Sequence, residues 1–182
     1  MQLAVVGRGH LGGGLGDLWE RAGHEVTRIG RDGGDASGSD ALLIAVPSNA
    51  IDDALASVGD IKGIPALDAT NAYAGRDESF QSLAHQVKAR TEGPVAKAFN
   101  LNFTTLYDQI EKQGNRPTQL WCGDDEARDV TEQLIRDAGY EPVRAGGLQN
   151  ARTLEDFLGP FVGIAESLGG PFLYRFAQPG QL

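Results

Sequence analysis

The chain has 182 residues, 41% hydrophobic and 23% charged, the balance of one compact globular unit and too apolar for a disordered chain. Sixteen Lys and Arg against 25 Asp and Glu leave a net charge of −9, a field that repels phosphate backbones and argues against nucleic-acid binding. No apolar run approaches the ~18–20 residues of a membrane span, and the single Cys122 excludes an intrachain disulfide, so a soluble cytoplasmic protein without a membrane partner is expected.

Gln2-Leu3-Ala4-Val5-Val6 is short, apolar and bounded by Gly7, which reads as a buried strand and not as a signal peptide. Leu11, Leu15, Leu18 and Ala22 then recur at helical spacing, and Gly23 stops the helix. Residues 25–29 make a second strand. Only residues 30–40 lead from there to the run Ala41-Leu42-Leu43-Ile44-Ala45-Val46, a third strand ended by Pro47. A parallel crossover ordinarily needs a dozen or more residues, so the usual helix is expected to be missing here. Ser48 is placed to cap a helix carrying Ile51, Ala54, Leu55 and Val58, with Asp52 and Asp53 in its first turn.

The alternation continues with a strand at 64–69, a helix at 79–90 and strands at 94–99 and 118–122. Asp124 is expected to cap a helix carrying Ala127, Val130, Leu134 and Ile135, stopped at Gly139. Residues 140–144 form the last strand, and Thr153 with Asp156 resembles a capping box opening a final apolar helix. The pattern predicts an α/β fold: a Rossmann-like doubly wound parallel sheet over 1–152, shortened after the second strand. A small helical extension over 153–182 belongs to the same compact unit.

Glycine is the compositional outlier, with 25 residues, about twice the usual ~7%, and a cluster before residue 40. Gly7-Arg8-Gly9-His10-Leu11-Gly12 is G-x-G-x-x-G between the first strand and the first helix, the context a dinucleotide site requires. One glycine makes the tight turn, one lets backbone approach a pyrophosphate, and one lets helix pack on strand. The pyrophosphate then meets free N–H groups at the helix N-terminus. The second strand ends Ile29-Gly30-Arg31-Asp32. An arginine there offers a donor fork to the 2′-phosphate of NADP(H), which favours it over NAD.

Together with this fingerprint, Gly30-Arg31 in place of a Ser-Arg pair and the strand end Ala45-Val46-Pro47 resemble the NADPH-dependent coenzyme F420 reductases. So do Val95-Ala96-Lys97-Ala98-Phe99-Asn100, Gly123-Asp124-Asp125-Glu126 and Ala145-Gly146-Gly147-Leu148-Gln149-Asn150-Ala151-Arg152, in the same order along nearly the whole chain. The resemblance implies an NADP(H)-dependent oxidoreductase on a Rossmann domain, with a deazaflavin or related flavin-like ring stacked on the nicotinamide. Carried over by position, Arg8, Gly9, His10 and Leu11 line the pyrophosphate, held between Gly7 and Gly12. Gly30 and Arg31 meet the adenosine phosphate. Val46, Pro47 and Ser48 line the nicotinamide side, with Ala98, Phe99 and Asn100 beyond. Hydride passes between two aligned rings, so no acid–base residue is demanded and none is assigned as catalytic.

The chain departs from that pattern in two places. The missing helix removes one wall of the adenine pocket, and Gly33, Gly34 and Asp35 stand where the family often has a further basic residue. The chain is also short, so the deazaflavin pocket is incomplete or completed by a partner subunit. Two other readings stay open: a reductase of a small imine or carbonyl compound, and a dinucleotide-binding protein without catalysis.

Other residues carry weaker signals. His10 either touches phosphate or points to solvent, and His24 and His85 read as surface residues with no metal spacing. Cys122 reads as a small buried hydrophobe, and Asp124, Asp125 and Glu126 as helix-start acids. Asp68 and Asn71 follow a strand on the ligand side and serve either a site or a turn. Residues 153–182 hold Phe157, Phe161, Phe172, Tyr174 and Phe176, more apolar surface than a short tail easily hides. With the family resemblance, this predicts a homodimer through the C-terminal segment.

Overall fold

In the computed structural model, which describes residues 1–181, seven strands lie in one sheet in the order β2-β1-β3-β4-β5-β6-β7. They are β1 Gln2–Val6, β2 Glu25–Ile29, β3 Ala41–Ile44, β4 Ala66–Asp68, β5 Val95–Ala98, β6 Thr118–Gly123 and β7 Glu141–Arg144. The helices are α1 His10–Arg21, α2 Ile51–Ala56, α3 Leu83–Thr91, α4 Arg128–Asp137, α5 Ala151–Asp156 and α6 Leu158–Leu168. The doubly wound α/β architecture is the one the alternation predicts.

The sheet is parallel from β2 through β5, but β6 runs antiparallel to β5, and β7 is parallel to β6. A fully parallel sheet is therefore corrected to a mixed one. The link from β5 to β6 holds a 3-10 stretch, Thr104–Lys112, in place of a crossover helix. A link that stays at one end of the sheet delivers the next strand in the reverse direction.

Both faces of the sheet are covered. Leu42, Ile44, Ile51, Leu55, Leu83, Val87 and Leu154 pack on one side, beneath α2, α3 and α5. Leu15, Leu18, Trp19, Leu43, Leu67, Trp121 and Leu134 pack on the other, beneath α1 and α4. Burial on two sides explains why β3 is a continuous apolar run with no polar alternation. On the second face, the Trp19 indole donates to the Leu134 carbonyl at 2.8 Å. His24, expected at the surface, is buried instead, with Nε2 2.9 Å from Asp137 Oδ2. The first contact ties α1 to α4, and the second ties the turn after α1 to the same helix.

Residues 30–40 carry no helix. Gly30 and Gly33 close a turn, and an extended strap then hydrogen-bonds to the end of α2 through Gly34 N–H to Ser57 O and Ala36 N–H to Val58 O. Asp40 anchors its far end by accepting the Gln2 amide at 2.7 Å. Ala36 is buried beneath it, so the strap covers core that a crossover helix would otherwise cover.

Three predicted caps are displaced. Ser48 opens a 3-10 turn before α2 and caps nothing; its Oγ is buried without a partner. Asp124 does not cap either, because its carboxylate accepts the Val95 amide and the Lys88 ammonium, both at 2.8 Å. Thr153 lies inside α5, which starts at Ala151 after a 3-10 turn. The helix expected at 79–90 begins at Leu83, where Ser82 accepts the His85 amide.

The C-terminal tail folds back on its own chain. Phe161 and Phe172 pack on Phe103, with Phe103 and Phe161 stacked at 5.1 Å between ring centroids, and Tyr174 packs on Phe161 and Phe172. Tyr174 O accepts the Thr118 amide at 2.7 Å, pinning the tail to β6. Much of the aromatic surface expected to be exposed is thus covered internally, which leaves Phe157, Val162, Ile164, Leu168 and Phe176 outside. Truncating a half-buried ring in this cluster removes part of a core phenylalanine's contribution, so Phe172→Ala is expected to cost ~1.5–3 kcal/mol. Urea unfolding measures this; a loss below ~0.5 kcal/mol would place the tail outside the cooperative unit.

Candidate functional site

The parallel strands β1 to β5 deliver their C-terminal ends to one edge of the sheet. There β2 and β3 flank β1 on opposite sides, which opens the crevice where α/β sheets of this kind take ligands. The turn from Gly7 to Gly12 fills the floor of that crevice.

Each fingerprint glycine has a separate steric reason. Gly7 has φ +107°, and a Cβ there would overlap the Ala45 carbonyl oxygen. Its amide donates to Ile29 O at 2.9 Å, so the turn is clamped between β2 and β3. A Cβ on Gly12 would overlap the Gly7 carbonyl and lie 3.0 Å from Val5 Cγ1, which shows how closely α1 sits on the turn. Gly9 differs: no atom lies within 4 Å of its would-be Cβ. It is the extended N-cap of α1, and no side chain caps that helix. The first N–H groups of α1 therefore face open space, with the positive end of the helix dipole behind them. Arg8 and His10 are exposed on either side, and Leu11 is half-buried.

At the end of β2, Gly30-Arg31-Asp32-Gly33 forms a tight turn that exposes Arg31 and Asp32. Arg28 is not available there, because it is held by Asp17 and Glu20 beside α1. The Arg8 side chain lies over Gly30, with Nη2 3.3 Å from Asp32 Oδ2. At the end of β3, Val46 is half-buried, Pro47 exposed and Ser48 buried. A cleft of about 270 Å³ follows, lined by Ser48, Asn49, Asp52, Gly75, Arg76 and Gln86.

The ends of β4 and β5 are held by a buried ionic cluster. Lys97 Nζ lies 2.8 Å from Asp68 Oδ2 and 3.2 Å from Glu155 Oε1, and donates to the Thr70 carbonyl at 2.5 Å. All three charged side chains are fully buried. Glu155 also accepts from Arg76 and from the Leu83 amide, so α5 is tied to the loop before α3. Asp68, which reads as serving either a site or a turn, is buried in this cluster and holds the turn after β4 by accepting the Thr70 amide at 2.9 Å. Asn71 stands at the edge, donating to the Asn100 carbonyl at 2.8 Å while Asn100 donates back.

Phe99 has φ +61°, a left-handed conformation rare for a bulky residue, and it redirects the chain at the end of β5. Its ring is buried edge-on against Trp19 and Tyr140. Gly7 to Gly12, Gly30, Arg31, Val46 to Ser48 and Asn100 thus share one edge of the sheet. The side chains of Ala98 and Phe99 point into the core and leave only backbone near it. Cys122 is fully buried, and burial pushes its thiol up to about 12, the state of an inert hydrophobe.

Sequence reasoning missed the Lys97 cluster and the Arg8–Asp32 pair. A lysine inside the apolar run Val-Ala-Lys-Ala was a signal for the first, because a fully buried lysine needs partners. Nothing local announces Glu155 as that partner.

No protein-family model and no curated protein matches the chain. Among solved structures, it is similar to a protein from Arthrobacter sp. FB24 provisionally described as an F420-dependent NADP reductase, at 19% identity and a TM-score of 0.80, covering 98% of this chain and 100% of that one. A hypothetical protein from Sinorhizobium meliloti is similar at 23% identity and a TM-score of 0.68, over 81% and 86% of the two chains. The reductive aminase of Aspergillus terreus, solved with NADPH, is similar at 15% identity and a TM-score of 0.65. The chain spans only 62% of that enzyme's length, with 92% of its own residues matched. These likenesses establish a Rossmann-like fold.

The steric contrast between the glycines is testable without any ligand. Gly12→Ala is expected to cost ~2–3 kcal/mol or more, because its Cβ meets backbone that cannot yield, whereas Gly9→Val should leave stability within ~0.5–1 kcal/mol of the parent. Chemical denaturation of both variants decides; equal losses would contradict the assignment of packing to Gly12 and open space to Gly9.

Proposed function

We propose that the chain is an NADP(H)-dependent oxidoreductase that moves hydride between the nicotinamide and coenzyme F420 or a related flavin-like ring. The observation that carries this reading is the uncapped, open turn at Gly9, fixed at the switch point by two glycines that admit no Cβ. A turn of that shape fits a pyrophosphate, which backbone must approach closely. NADP(H), when bound, supplies the hydride chemistry.

The chain's own residues bind and align. Gly9, His10 and Leu11 present the N-terminus of α1 to the pyrophosphate, and the Gly30-Arg31 turn meets the adenosine ribose. Val46, Pro47 and Ser48 line the nicotinamide side, with Asn100 beyond and Ala98 and Phe99 contributing backbone position alone. Holding two rings in register is itself the catalytic task, so no side chain is assigned a proton transfer. The motif resemblance and the likeness to the Arthrobacter protein support a deazaflavin acceptor. The likeness to the NADPH-bound reductive aminase favours the second reading, a reductase of a small imine or carbonyl compound. The helix-free strap after β2 favours the third, binding without turnover.

Titration of NADPH into the purified protein, followed by turnover with coenzyme F420 at the deazaflavin absorption band, separates the three. The expected outcome is binding and turnover in the parent and loss of both in folded Gly9→Val. Binding without F420 turnover, but with reduction of a cyclic imine, would move the assignment to the second reading; binding with no turnover would move it to the third.

We further propose that a second copy of the chain covers the apolar face of α6, where Phe157, Val162, Ile164 and Leu168 are exposed. The family resemblance, which pairs subunits through this region, supports it. Sedimentation at micromolar concentration should show a dimer that Leu168→Asp dissociates; a monomer near 19.3 kDa in the parent would overturn it.

A further inference from the structure

We propose that Arg8 is a cofactor-specificity residue: together with Arg31 it grips the 2′-phosphate of NADP(H), displacing Asp32, the weakly held anion that its guanidinium contacts in the free protein. The inference rests on the dinucleotide reading of the site and goes beyond it. Fingerprint position alone would assign Arg8 to the pyrophosphate. Its head group lies elsewhere, across the end of β2, where a dinucleotide places its adenosine ribose.

The residue that reveals this is Gly30. Its backbone does not take a positive φ, so the conformation does not require glycine. What a Cβ would meet is Arg8: Cζ at 2.5 Å and Nη2 at 2.7 Å are among its three nearest atoms, and the third is also in the Arg8 guanidinium. Gly30 is thus the space into which the guanidinium lies down. The other basic side chain nearby, Arg28, is engaged by Asp17 and Glu20, while Arg31 has no carboxylate partner among the described residues.

Asp32 fits the role of a displaceable partner. Its pairing with Arg8 is a single contact of 3.3 Å between two well-exposed side chains, 61% and 91%. Such a surface pair is weak. A phosphate monoester carries about −1.5 to −2 charge and three acceptor oxygens, so it outcompetes one carboxylate for the arginine fork. With Arg8 on one side and Arg31 on the other, the phosphate gains two cations at the site where the strap supplies no wall.

The test is calorimetric titration of NADPH, NADH and 2′,5′-ADP into the parent, Arg8→Ala, Gly30→Ala, Asp32→Asn and Arg31→Ala. Arg8→Ala should weaken NADPH and 2′,5′-ADP roughly ten- to a hundredfold and leave NADH within about threefold. Gly30→Ala should weaken NADPH by a smaller factor, a few-fold, by shifting the flexible Arg8 head group with both arginines still present, a result no simple charge count gives. Asp32→Asn should tighten NADPH a few-fold by removing the competitor. Equal weakening of NADPH and NADH by Arg8→Ala would return the residue to the pyrophosphate and overturn the proposal while leaving the dinucleotide reading intact. No effect of Arg8→Ala or Gly30→Ala on NADPH would overturn it too. A parent that binds neither dinucleotide would overturn the reading and the proposal together.

Discussion

The close approach of backbone at Gly7 is the constraint on which the rest of the site depends. Its neighbours are the Ala45 carbonyl of the β3 end and the Ile29 carbonyl of β2, so three adjacent strands meet around one residue without a side chain. Gly12 repeats the condition one turn into α1, where the helix rests on the Gly7 carbonyl. Any bulk at either position would push α1 or β3 outward and move the free amides of the helix away from the crevice. Gly9 is then open because its neighbours are tight: the turn has nowhere to fold except toward the ligand side.

A second constraint joins the C-terminal part of the chain to that edge. Lys97 of β5 pairs with Asp68 from β4 and Glu155 from α5 in a fully buried cluster, and Arg76 supplies Glu155 with the second positive charge. Buried pairs of this kind add little net stability over apolar packing, but removing one partner strands a charge at a cost of ~3–5 kcal/mol. The cluster therefore fixes position more than it adds strength. Glu155 extends it to Arg76 and the Leu83 amide, so α5, the loop before α3 and the two central strands form one unit beside the cleft at Ser48.

The tail shows how few residues can decide what a surface is. Phe172 and Tyr174 close over Phe103 and Phe161, converting apolar side chains that read as interface into an internal aromatic cluster. What α6 still exposes is a narrower face than the sequence suggested. The strap of residues 30–40 makes the same point in reverse. It holds no periodic apolar stripe, yet it covers core by placing Ala36 and backbone hydrogen bonds against the end of α2.

The sequence by itself determined the elements whose signal is local. Strands buried on both faces announce themselves as apolar runs, α1 by its spacing, and the glycine turn by its place between them. The missing helix after β2 was also legible, because eleven residues cannot hold a crossover helix with its turns. Tertiary structure alone decided what depends on residues far apart in the chain. Asp124 gave up capping for Val95 and Lys88, and His24 left the surface for Asp137. The direction of β6 followed from a link that never crosses the sheet, and Lys97 found Glu155 across a helix packing that no spacing encodes. Arg8, read from its motif position, turned toward Gly30 and Asp32. The physical reason is common to all: a polar or charged group goes to the partner that three-dimensional packing brings within about 3 Å, and sequence separation does not enter that energy.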